Sequence, residues 1–171
     1  ALIMANGLAG NQTITAGSPA GEIFENALLM LMTEMAKSIV RDGEGATKFV
    51  TVTINGANSL EDAKKMAFGI ANSMLVKAAL FGCDPNWGRI LSAAGMVFAH
   101  FDPAVADLRI NGIYLYRQGE PLNLNKTEIQ RMMTPVELEI VLDCNLGKNS
   151  AVVYTTDLSY DYIKINAQYH T

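Results

Sequence analysis

Apolar and polar residues alternate with two clear periods along this chain, and the change from one to the other marks its most informative stretch. Ala20, Phe24, Leu28, Leu31, Met35 and Ile39 recur every three or four residues, the spacing that lines one face of an α-helix. Ser18 suits the N-cap and Pro19 the first helical position, so the pattern predicts a helix from there to about Arg41. Leu29, Met30 and Met32 widen its apolar surface, which predicts burial on two sides. Val50, Val52 and Ile54 then alternate with Thr51, Thr53 and Asn55, the period of a strand with one buried face.

Between the two lies Asp42-Gly43-Glu44-Gly45-Ala46-Thr47-Lys48. Gly43 and Gly45 tolerate positive φ, so the chain can reverse there and leave Glu44 projecting from the bend. A carboxylate on such a turn suits an ammonium group. The same residues also describe an ordinary solvated loop.

Further on, Asn55-Gly56 is expected to turn the chain, and Ser59 to Asp62 resembles a capping box opening a second helix that carries Leu60, Ala63, Ala67, Ile70, Met74 and Ala78 to near Gly82. The segment Asp84-Pro85-Asn86-Trp87-Gly88-Arg89 reads as a structural corner. Asp84 or Asn86 caps a short helix to about Val97, Trp87 plugs its end, and Arg89 is expected to pair with a carboxylate. Asn111-Gly112 between two alternating segments predicts a hairpin with a type I′ turn. A short helix around 126–132, a strand pair over 136–143 and 151–155, and a docked C-terminal helix from Asp157 complete the reading. Helices early and late with antiparallel strand pairs between them predict an α+β fold, layered sheets covered by helices, in a single domain over 1–171.

Composition narrows the function classes. Half of the 171 residues are hydrophobic, 18% are charged, and the net charge is -4 with no basic run, so neither nucleic acid nor a membrane surface is an expected partner. No apolar run approaches the roughly 20 residues a membrane span requires. Ala1 to Ala5 is apolar but has no basic n-region or initiating Met, so it does not read as a secretory signal. Cys83 and Cys144 lack ligand spacing, which fits reduced thiols in a cytoplasmic protein, and with His100 and His170 the only histidines no metal site is expected.

Four segments in order, Asp42 to Lys48, Asp84 to Arg89, Asp107 to Gly112 and Tyr160 to Thr171, resemble the ornithine acetyltransferase (glutamate N-acetyltransferase) family, and the likeness covers nearly the whole chain. It looks like most of that family's C-terminal, or β, chain. The resemblance implies a self-processing, N-terminal-nucleophile type of architecture. In it a precursor cleaves before a threonine, which then carries acetyl from N2-acetylornithine to glutamate in arginine biosynthesis. It further implies an α chain from the same precursor, an α2β2 heterotetramer, no cofactor, and in some members acetyl-CoA as co-substrate. A threonine whose own α-amine acts as base needs no histidine, consistent with a chain so poor in that residue.

By matching segments, Glu44, Asn166 and Thr171 look like substrate-binding residues. The nucleophilic threonine has no counterpart here, so no catalytic residue is assigned within the chain. Gln168 stands where the family commonly carries an acid, and His170 is read as incidental. Two other readings remain beside this one: an aminopeptidase or amidase on the same architecture, with water resolving the acyl-enzyme, and a catalytically silent assembly domain.

Overall fold

The computed structural model describes residues 2–168. The chain falls into two compact units, Ala1–Ala36 and Lys37–Thr171. In the first, an irregular segment leads into helix α1 (Pro19–Arg41), which continues into the second unit. Ser18 caps it as expected: its Oγ accepts from Gly21 N at 3.0 Å and donates to Thr15 O at 2.7 Å. The expectation of two-sided burial fails, because Ile23 and Met30 are 71% and 72% exposed and Gly21 alone in the helix is buried. The reason is local: α1 is the one regular element of its unit among the described residues, so no layer within that unit covers its stripe.

The second unit is built on one six-stranded mixed sheet of order β4-β3-β2-β5-β1-β6. Its strands are β1 (Phe49–Ala57), β2 (Asp107–Ile110), β3 (Ile113–Arg117), β4 (Glu120–Pro121), β5 (Glu137–Asp143) and β6 (Asn149–Thr156). The helices α2 (Leu60–Asn72), α3 (Met74–Phe81), α4 (Trp87–Gly95), α5 (Lys126–Met133) and α6 (Tyr160–Gln168) complete it. The class is α+β, a sheet covered by helices. Helix α2 lies across β1 and β6 and packs on α4. Val50, Val52 and Ile54 of β1 are fully buried in the core with Met66 and Ile70 of α2. Each such side chain contributes about 1.5–3 kcal/mol on removal from water.

Three expectations need correction. Strands β5 and β6 do not pair: β1 lies between them, parallel to β5 and antiparallel to β6. A short loop between two strands of suitable pattern signals adjacency along the chain, and the core face of β1 prevails over it. Asn55-Gly56 does not end β1. Gly56, at φ 63°, sits instead where the register with β6 shifts, so the glycine makes a bulge rather than a turn. The expected second helix is two, because Ser73 takes extended φ and ψ, ends α2 and caps α3 by accepting from Val76 N at 3.4 Å. An unbroken apolar stripe conceals such a break, since residues on both sides still face one core.

Other local readings hold. Asn111 and Gly112 at φ 47° and 76° join β2 to β3, the two positive angles a type I′ turn requires. Ser59 caps α2 by accepting from Asp62 N at 3.0 Å, but the Asp62 carboxylate is too short to reach back to the cap backbone and accepts from Ser59 Oγ instead. No helix among the described residues is long and apolar enough to cross a membrane.

Candidate functional site

Helix α1 ends where Asp42 N and Gly43 N donate to Ser38 O and Val40 O. The next residues close a β-turn, with Ala46 N donating to Gly43 O at 3.0 Å. Glu44 and Gly45 occupy its two central positions, and Gly45 has φ +66°. Only Gly45 of the two flanking glycines uses positive φ. Its missing side chain also opens space for α6: a Cβ there would lie 2.5 Å from Tyr162 N.

The short connector from β6 to α6 clamps this turn at two points. Asp157, 4% exposed, accepts from Thr47 N and Lys48 N at 2.9 and 3.0 Å and from the Thr47 hydroxyl. Ser159 Oγ donates to Gly45 O at 2.5 Å and accepts from Tyr162 N at 3.2 Å, so one hydroxyl caps α6 and ties it to the turn. Buried Lys48 anchors the far side. Its Nζ donates to Met133 O and Pro135 O, at and just beyond the end of α5, where helix carbonyls lack internal partners.

The clamps bring two of the expected site residues together across the chain. Asn166 Nδ2 donates to Glu44 Oε2 at 3.1 Å and to Tyr162 O at 2.9 Å. One amide nitrogen thus fixes the carboxylate's orientation, while Glu44 Oε1 and Asn166 Oδ1 have no partner among the described residues and can accept. A carboxylate oxygen and an amide oxygen are the acceptor types that suit an ammonium donor. Thr171, the third expected residue, lies outside the described residues, as does His170.

Glu44 borders a cleft of about 410 Å³ whose other walls include Asn72, Lys77, Asp157 and Tyr162. Sequence reasoning missed Lys77. The available signal was its place as the single charged residue of α3, Met74–Phe81. Partial burial holds its ammonium below the usual lysine range, and the nearby Asp157 carboxylate opposes that shift. It makes no ion pair among the described residues.

The corner from Asp84 to Arg89 is structural. Asn86 caps α4 by accepting from Arg89 N at 3.1 Å, and Trp87 stacks on Tyr116 with ring centroids 5.3 Å apart. Arg89 does not meet the expected carboxylate: its Nη1 donates to Leu75 O at 2.9 Å, tying α4 to the first turn of α3.

A glutamate N-acetyltransferase from Methanocaldococcus jannaschii is 46% identical over 177 residues, covering 99% of this chain and 43% of that protein. The arginine biosynthesis bifunctional protein ArgJ from Symbiobacterium thermophilum is 44% identical over 170 residues, 99% of this chain and 42% of that one. The chain therefore spans less than half the length of these relatives. A crystal structure of arginine biosynthesis bifunctional protein ArgJ from Bacillus halodurans superposes with a TM-score of 0.93 at 36% identity, over 98% of this chain and 79% of that chain. The ArgJ family model matches residues 1–171, and the chain belongs to the ArgJ family.

Proposed function

We propose that this chain forms part of an N-acetyltransferase that moves acetyl from N2-acetylornithine to glutamate in arginine biosynthesis, in the cytoplasm. The observation that carries the reading is the pairing of Glu44 with Asn166 at 3.1 Å beside a cleft of amino-acid size, in a chain of this family. Glu44 takes the side-chain ammonium of the acetylornithine donor, and Asn166 orients Glu44 and adds an acceptor. Thr171 supplies a hydroxyl to the same ligand.

The nucleophile is a threonine outside this chain, at the start of the complete β chain. Its hydroxyl attacks the acetyl carbonyl, the amide C–N bond breaks, and ornithine leaves after taking the proton that the threonine amine has accepted. Glutamate's amine then attacks the acetyl ester and restores the hydroxyl. The α chain of the same precursor provides oxyanion donors, and two copies of each chain assemble as α2β2. Acetyl-CoA serves as an alternative donor to the same threonine, its thioester C–S bond breaking to release the CoA thiol, and no cofactor takes part.

Glu44→Ala in the assembled, processed protein tests this. A hydrogen-bonded charge is worth about 1.5–3 kcal/mol, so kcat/KM for acetylornithine falls roughly 10- to 150-fold while the melting temperature holds. Unchanged kinetics remove Glu44 from the site.

A further inference from the structure

The acetyl donor and acceptor proposed above differ in one chemical respect that the cleft must accommodate. Acetylornithine ends in a side-chain ammonium, glutamate in a side-chain carboxylate. In a ping-pong exchange both visit the same threonine in turn, so their side chains extend into the same space. A wall made only of Glu44 and Asp157 would hold the first and repel the second. Asp157 is not a free pole, since Thr47 and Lys48 occupy it. Glu44 is exposed and has one oxygen with no partner among the described residues. Against these acids, Lys77 is the single cationic residue lining the cleft among the described residues.

We propose that Lys77 receives the side-chain carboxylate of the glutamate acceptor, and so sets acceptor specificity while Glu44 serves the donor. This rests on the acetyl-transfer reading. Helix α3 positions the lysine: its backbone carbonyl accepts from Leu158 N at 3.2 Å, which fixes the Lys77 Cα against the same connector that clamps the Glu44 turn. The side chain is half-buried and makes no ion pair among the described residues, so no partner carboxylate there has to be displaced before an incoming one is met. Partial burial strengthens that attraction by thinning the intervening water.

Ping-pong kinetics separate the two roles, because kcat/KM for the donor reports only the first half-reaction and kcat/KM for the acceptor only the second. In the assembled, processed protein, Lys77→Met lowers kcat/KM for glutamate at least ten-fold more than kcat/KM for acetylornithine, and narrows the preference for glutamate over glutamine as acceptor. Lys77→Arg keeps that preference. An equal fall in both half-reactions overturns the assignment, since it marks a structural role or a contact common to both ligands, and so does an unchanged ratio. If the Met variant does not assemble, the Arg variant decides: loss of the glutamate preference in a folded Arg enzyme refutes a charge-based role. A wild-type protein that transfers no acetyl group sinks the acetyl-transfer reading itself, an outcome distinct from an active enzyme indifferent to residue 77.

Discussion

Gly45→Ala should damage the site from behind without touching any ligand. The added Cβ would sit 2.5 Å from Tyr162 N, 2.9 Å from Asp161 C and 3.0 Å from Tyr162 Cα, all backbone atoms that cannot rotate aside. Ordinary contact begins near 3.4 Å, so the turn and the first turn of α6 must separate by roughly 0.9 Å. Alanine at φ +66° adds about 1–2 kcal/mol of backbone strain. A 0.9 Å shift carried along α6 stretches the 3.1 Å Asn166–Glu44 bond to about 4 Å, beyond hydrogen-bonding range. On the proposed acetyl-transfer reading, the expected result in the processed, assembled protein is a melting temperature lower by about 2–8 °C and a kcat/KM for acetylornithine lower by about ten-fold. Gly43→Ala is the control: its φ is not positive, and a Cβ there meets Val40 O at 3.2 Å and a Thr156 methyl at 3.4 Å, an overlap of about 0.2 Å against about 0.9 Å at Gly45, so both readings fall much less than in Gly45→Ala. If Gly45→Ala matches Gly43→Ala in both, the close approach of α6 is not what positions Glu44.

Two further outcomes follow from the same unit. Asp157→Ala strands the Thr47 and Lys48 amides and should cost about 2–4 kcal/mol in urea unfolding, and a loss below about 1 kcal/mol would mean that water replaces the carboxylate. Cys144 is fully buried, and burial first, with Asp143 and Asp62 adding, pushes its thiol from 9.0 to about 11. The native fold therefore favours the neutral thiol: its stability is intact below pH 9 and declines as pH rises from 9 toward 11. Iodoacetamide at pH 8 should leave Cys144 unmodified until urea unfolds the protein, and rapid native labelling by peptide mass spectrometry would contradict the burial.

What the sequence made legible were features stated locally. Ser18, Ser59 and Asn86 cap helices through bonds reaching three residues along the chain, and Asn111-Gly112 closes a hairpin through its own two φ angles. Features that depend on distant neighbours were not legible. Nothing in 137–143 or 149–156 says that β1 inserts between those strands, because that choice is made by the core against α2. Ser73 breaks a helix inside an uninterrupted apolar stripe. At the site, Glu44 was visible because glycines frame it, and Asn166 only through family resemblance. Lys77 carries no local mark beyond a lone charge, and its significance arises when α3 meets the connector after β6.

That connector explains how residues 122 apart in sequence hold a 3.1 Å contact. Asp157 and Ser159 are two residues apart, yet one grips the exit of the Glu44 turn and the other its central carbonyl, and Ser159 also sets where α6 begins. Leu158 between them bonds the carbonyl of Lys77. Three successive residues thus position the acidic pole, the basic pole and the helix bearing Asn166. The placement of the poles is a property of one short backbone segment rather than of three independent elements, so perturbations along it should couple. Asp157→Ala acts at the exit of the turn and Gly45→Ala at its centre, against the first turn of α6 into which the connector leads, and the two are expected to be non-additive by about 0.5 kcal/mol or more in a double-mutant cycle.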